Sequence, residues 1–111
     1  MAIQVHFANL NCLATDDAST DEPYLVWRQG GNDQRIWGPH EMEEGQIRNT
    51  DNFQLLTGDS GIIMLLDEDW PSDDHLGSHT IRKDEKGLGW RRANFIGDDA
   101  RYFLDYEVFE G

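Results

Sequence analysis

Ile62-Ile63-Met64-Leu65-Leu66-Asp67-Glu68-Asp69-Trp70-Pro71-Ser72-Asp73-Asp74 is the stretch from which the rest of the chain can be read. Ile62 to Leu66 are apolar at both parities, the pattern of a strand covered on both faces in the middle of a sandwich. Carboxylates then crowd the short loop from Asp67 to Asp74, with Trp70-Pro71 at its tip. Like charges this close do not all stay ionised in a folded loop at neutral pH unless a cation sits among them or water separates them. A second acidic segment, Thr15-Asp16-Asp17-Ala18-Ser19-Thr20-Asp21-Glu22, also falls between strand-like stretches. The chain therefore predicts two acidic loops meeting at one end of a sheet protein.

Outward from that strand the periodicity is two residues. Ile3, Val5 and Phe7 alternate with polar neighbours, then Leu10, Cys12 and Ala14 resume on the other parity, which predicts a bulge near Ala8-Asn9. Pro23–Arg28 and Arg35–Trp37 flank the turn chemistry of Gln29-Gly30-Gly31-Asn32-Asp33-Gln34, a hairpin pattern. Asn52–Leu56, Leu76–Arg82, Trp90–Ile96 and Arg101–Phe109 read as further strands, the last with Tyr102, Leu104, Tyr106 and Val108 on one face. His40–Thr50 is polar and acidic, with Met42 and Ile47 its large apolar residues, and Lys83–Gly89 is charged and glycine-rich. No helical stripe with start and stop signals is present, so the fold class is all-β. A two-sheet sandwich of about 100 residues would use nearly all of residues 1–111 as one domain.

Charge narrows the partners. With 9 Lys+Arg against 22 Asp+Glu, the net charge of -13 argues against nucleic acid, whose recognition draws on clustered cations. It makes divalent cations natural counter-ions, although an acidic surface serves solubility equally. The lone Cys12 allows no intrachain disulfide and sits in an apolar pattern, as a core residue would. There is no long apolar span, and Met1-Ala2-Ile3-Gln4-Val5 lacks the features of a secretion signal, so the expected location is the cytosol or export without a leader.

Calcium takes six to eight oxygens at about 2.3–2.6 Å, and Asp is the shortest side chain that offers two from a loop. Asp67 and Asp69 can turn toward one point if the chain bends between them, and Asp73 or Asp74 can close the loop. The alternative is that these carboxylates cap turns and are solvated. An EF-hand does not fit, because starting it at Asp67 puts Ser72 at the required glycine and Ser78 at the closing glutamate. His75 and His79 would share one face of a strand, which does not make a zinc site, and no nucleophile elbow, phosphate-cradling loop or His-Glu-x-x-His is present.

The order Thr15-Asp16-Asp17, Asp21-Glu22-Pro23-Tyr24-Leu25-Val26, Leu65-Leu66-Asp67-Glu68-Asp69 and Asp73-Asp74-His75-Leu76-Gly77 resembles the calcium-binding C-two domains, including small bacterial versions of that fold. The resemblance implies an antiparallel eight-stranded Greek-key β-sandwich. It implies that Asp16 or Asp17 and Asp21 or Glu22 from the first loop, with Asp67, Asp69 and Asp73 or Asp74 from the third, coordinate Ca2+. Glu22 stands where the family has Asp, the third loop is about one residue shorter than usual, and the basic lipid-binding strand has no counterpart. Trp70 lies at the tip of the acidic loop, where such domains carry a residue that enters a membrane interface; packing over the loop is its other expected role. The reading is a non-enzymatic calcium-binding module for membrane or protein docking, or for ordering in a calcium-rich compartment. A calcium-independent interaction subunit, oligomeric through Trp27, Trp37 and Phe109, is the alternative.

Overall fold

The structure, a computed structural model, describes residues 2–16, 20–69, 71–97 and 99–111. Its strands are β1 (Ile3–Ala14), β2 (Thr20–Asp21), β3 (Pro23–Gln29), β4 (Asn32–Trp37), β5 (Met42–Glu43), β6 (Ile47–Leu55), β7 (Ser60–Asp67), β8 (Asp74–Arg82), β9 (Trp90–Gly97) and β10 (Ala100–Glu110). Eight of them make two four-stranded antiparallel sheets of order β6-β1-β10-β9 and β4-β3-β7-β8. The connections from β1 to β3, β4 to β6, β6 to β7 and β8 to β9 pass between sheets, in Greek-key manner. The two-residue strands β2 and β5 pair separately, which adds to the eight strands expected. No helix among the described residues is long and apolar enough to cross a membrane.

Alternation places the core. Val5, Phe7, Leu10 and Cys12 of β1 and Tyr102, Leu104, Tyr106 and Val108 of β10 all turn inward. The parity change in β1 is the expected bulge, a register shift between Phe7 and Asn9 against both neighbours. β7 lies between β3 and β8, which explains why Ile62–Leu66 is apolar at both parities. Opposite β1, Trp27 packs edge-on to Phe7 with ring centroids 5.6 Å apart. At 2% exposure it is core and unavailable to an oligomer contact, so the subunit interface expected to include it loses that residue.

Three segments differ most from the sequence expectation, the first being β4, which begins at Asn32 rather than Arg35 because Gly30-Gly31 alone make the turn. β6 begins at Ile47 rather than Asn52; it is an edge strand whose inward positions Arg48, Thr50, Asn52 and Gln54 are polar, so no apolar core face announces it in the sequence. Lys83–Glu85 forms one 3-10 turn, held by a buried carboxylate: Glu85 accepts from the Tyr106 hydroxyl, the Arg82 amide at 2.7 Å and the Arg91 guanidinium at 3.2 Å. His79 Nε2 lies 3.1 Å from the same Tyr106 hydroxyl.

Gly61 is where β7 admits Trp27. A Cβ there would sit 2.4 Å from the indole ring. Gly61→Ala is therefore expected to destabilise the fold by about 1–3 kcal/mol through overpacking, measured as a lower urea midpoint with an unchanged slope.

Candidate metal centre

The candidate centre is made by strand ends. Asp67, the last residue of β7, pairs with Pro23 on one side and Asp74, the first residue of β8, on the other. Asp16 arrives from the segment that follows β1. One carboxylate oxygen from each of Asp16, Asp67 and Asp74 lies within 4.8 Å of the others. Asp67 is 1% exposed, while Asp16 and Asp74 are half-buried.

Backbone donors fix the two loops to each other. The Glu22 amide donates to Asp67 Oδ1 at 2.7 Å, and the Glu68 amide donates to the Glu22 carbonyl at 3.0 Å. The Glu22 side chain is exposed beside this lacing. Asp21 turns inward instead of toward the trio: 1% exposed, it accepts the Asp16 amide on both oxygens at 2.9 and 3.1 Å and the Tyr102 hydroxyl at 2.6 Å. Its sequence position suggests a ligand, but its geometry is that of a brace for Asp16. Burial and the Asp21 carboxylate push the Tyr102 phenol far up, so it remains a donor across the accessible pH range.

Asp73 and Asp69, both exposed, bond to each other. Asp73 accepts from the Tyr24 hydroxyl and from the Asp69 amide at 3.1 Å. Those donors hold the Asp73 carboxyl below its usual 3.8, the Tyr24 bond being the larger cause. Burial first, and Asp73 second, push the Tyr24 phenol up to about 12. Arg35 stacks over the Tyr24 ring at 4.1 Å. Asp17 and Trp70, both named from sequence, lie outside the described residues. Thus Asp16, Asp67 and Asp74 come together, while Asp21 and Asp73 are engaged by tyrosines. Nothing local in the sequence marks Tyr102 or Tyr24 as partners of these carboxylates.

The chain matches no family model and no curated protein. Among solved structures it is similar to a C2 domain at 12% identity, covering 97% of each chain with a TM-score of 0.58. It is also similar to the C2 domains of extended-synaptotagmin 2 in a calcium-bound structure, at 18% identity and TM-score 0.56, covering 96% of this chain and 45% of that one. A third likeness is to human GIVD cytosolic phospholipase A2 in complex with an inhibitor and terbium chloride, at 15% identity and TM-score 0.57, covering 99% of this chain and 17% of that one.

Two outcomes test the braces. Tyr102→Phe should destabilise the fold by about 1.5–3 kcal/mol, read by chemical denaturation, because a buried carboxylate loses a donor. Tyr24→Phe should raise the Asp73 carboxyl toward 3.8 in a carbon-detected NMR titration. The sign follows from a depressed folded-state value: the stabilisation by Asp73 is present above its ordinary range and lost as pH falls through the folded one. Taken together, the sheet order, the paired acidic loops and these likenesses give the chain the C2 fold.

Proposed function

We propose that residues 1–111 form a single calcium-binding β-sandwich module in which Asp16, Asp67 and Asp74 supply the central ligands. The observation that carries this reading is the meeting of three carboxylates from two separate loops within 4.8 Å. The donor set is all oxygen, which suits a hard cation and not zinc or copper. Two ligands on opposite sides of one calcium ion stand about 4.6–5.2 Å apart, so the observed spread fits around a single ion. Glu22, Asp69 and the sequence neighbours Asp17 and Asp73 are close in the chain to these ligands and are proposed as the outer set, with Asp21 as a brace. Bound calcium would supply the positive charge that lets the loops stay together, and the residues themselves hold that position through the Glu22 and Asp21 contacts.

The function that follows is calcium-dependent ordering of one pole, which then presents Trp70 to a membrane or protein surface or stabilises the chain where calcium is abundant. With a dissociation constant of about 10 μM, millimolar calcium stabilises the fold by roughly 2.7 kcal/mol, a rise of on the order of 10 °C in melting temperature. Asp67→Asn should abolish that rise while leaving the chelated protein folded, because it also relieves repulsion. A melting point indifferent to millimolar calcium would sink the proposal. Calcium-dependent pelleting with anionic vesicles, lost on Trp70→Ala, separates membrane docking from simple stabilisation.

A further inference from the structure

The outer face of the β6-β1-β10-β9 sheet carries aromatic side chains that no core requires. Phe53 and Trp90 are 51% and 56% exposed, and Leu55 beside them is 54% exposed. His6 stacks on Phe53 at 4.1 Å with the rings 8° from parallel, Trp90 lies 5.4 Å from His6, and Phe109 meets Phe53 edge-on at 6.2 Å. In the sheet register Phe53, His6, Glu107 and Trp90 form one row across four strands. Glu107 therefore stands between an imidazole and an indole. A depression of about 260 Å³ opens beside Trp90, lined by Ala8, Asn9, Trp90 and Asp105.

The charges around this row are mostly matched. Arg92 pairs with Asp105 at 3.5 Å and Lys86 with Glu110 at 3.3 Å, and His6 Nε2 lies within hydrogen-bond distance of Asp51 Oδ1 at 3.0 Å. Among the described residues Glu107 has no such partner. One uncompensated carboxylate flanked by aromatic rings, on a protein of net charge -13, is complementary to a cation with a flat face. A guanidinium meets both demands, because it stacks on rings and forks onto a carboxylate, whereas an ammonium is a hydrated point charge. The chain already uses its own arginines this way, with Arg35 over Tyr24 and Arg92 over Phe103, each at 4.1 Å.

We propose that this face binds an arginine-bearing segment of a protein partner, one guanidinium lying against Trp90 and bonded to Glu107. The surface does not depend on calcium. His6 and Ala14 stand eight positions apart along β1, which puts the row roughly 25 Å from the acidic loops.

The test is an amide and indole NMR titration of the full chain with a blocked tetra-arginine peptide, with and without calcium. Tetra-lysine and phosphatidylcholine vesicles serve as parallel probes. Expected are shifts at the Trp90 indole, His6, Phe53 and Glu107 under both conditions, with weaker binding of tetra-lysine. Trp90→Ala and Glu107→Gln should each weaken tetra-arginine about tenfold. Both positions lie on the outer face, and the dispersion of each variant's spectrum reports that it remains folded. Shifts confined to the acidic loops, affinity unchanged in both variants, or no shift at millimolar peptide would overturn the proposal. Perturbation of this face by vesicles but not by peptide would overturn it in favour of a lipid surface.

Discussion

Antiparallel pairing sets Asp67 directly opposite Asp74, and the first loop brings Asp16 against both. Like charges facing each other across a strand pair destabilise a sheet. At an effective dielectric of about 20, two unit charges 4.8 Å apart repel by roughly 3 kcal/mol, a large part of the 5–15 kcal/mol that holds a typical domain together. The fold cannot relieve this by turning Asp67 outward, because Asp67 ends the central strand β7 and is locked by the Glu22 amide. The sheet register that builds the core therefore also builds the acidic pole. A small cation with oxygen ligands, as proposed above, would offset that repulsion.

Strand β10 ties the two ends of the sandwich to its centre. Tyr102 and Tyr106 both point inward from one face of it, and each hydroxyl reaches a buried carboxylate belonging to a loop: Asp21 in the first case and Glu85 in the second. Burial of a carboxylate is tolerable only with donors close by, and here each has a phenol together with one backbone amide. In both cases the loop geometry follows from the brace. Asp21 holds the amide of Asp16 and so aims the loop at Asp67, while Glu85 shapes the 3-10 turn between β8 and β9.

Much of this was legible in the chain, and the limit has a physical origin. The apolar run Ile62–Leu66 marks the central strand, the parity change after Phe7 marks the bulge, and the two acidic segments mark the pole where strands end. These are local patterns of period two, which sequence displays directly. Which carboxylates face one another is not local. Asp21 and Asp16 are near neighbours of similar character, and their different fates turn on Tyr102, 81 positions away. Trp27 is among the aromatics the alternative reading gives to an oligomer contact, yet its burial depends on Phe7 across the sandwich and on the missing side chain at Gly61. The start of β6 was hidden for another reason, since its inward positions Arg48, Thr50, Asn52 and Gln54 are polar while Ile47, Phe53 and Leu55 face out, so its alternation does not mark a core face.

The acidic pole and the aromatic row act over different ranges. Charges screened by physiological salt lose contact beyond about 8 Å, and the two regions are separated by roughly three times that distance. A bound calcium ion would add two positive charges to a chain of net charge -13, so the molecule would stay strongly acidic when loaded. On the two proposals made above, capture of a basic segment and loading of the pole would be independent binding events on one scaffold, each set by its own carboxylates.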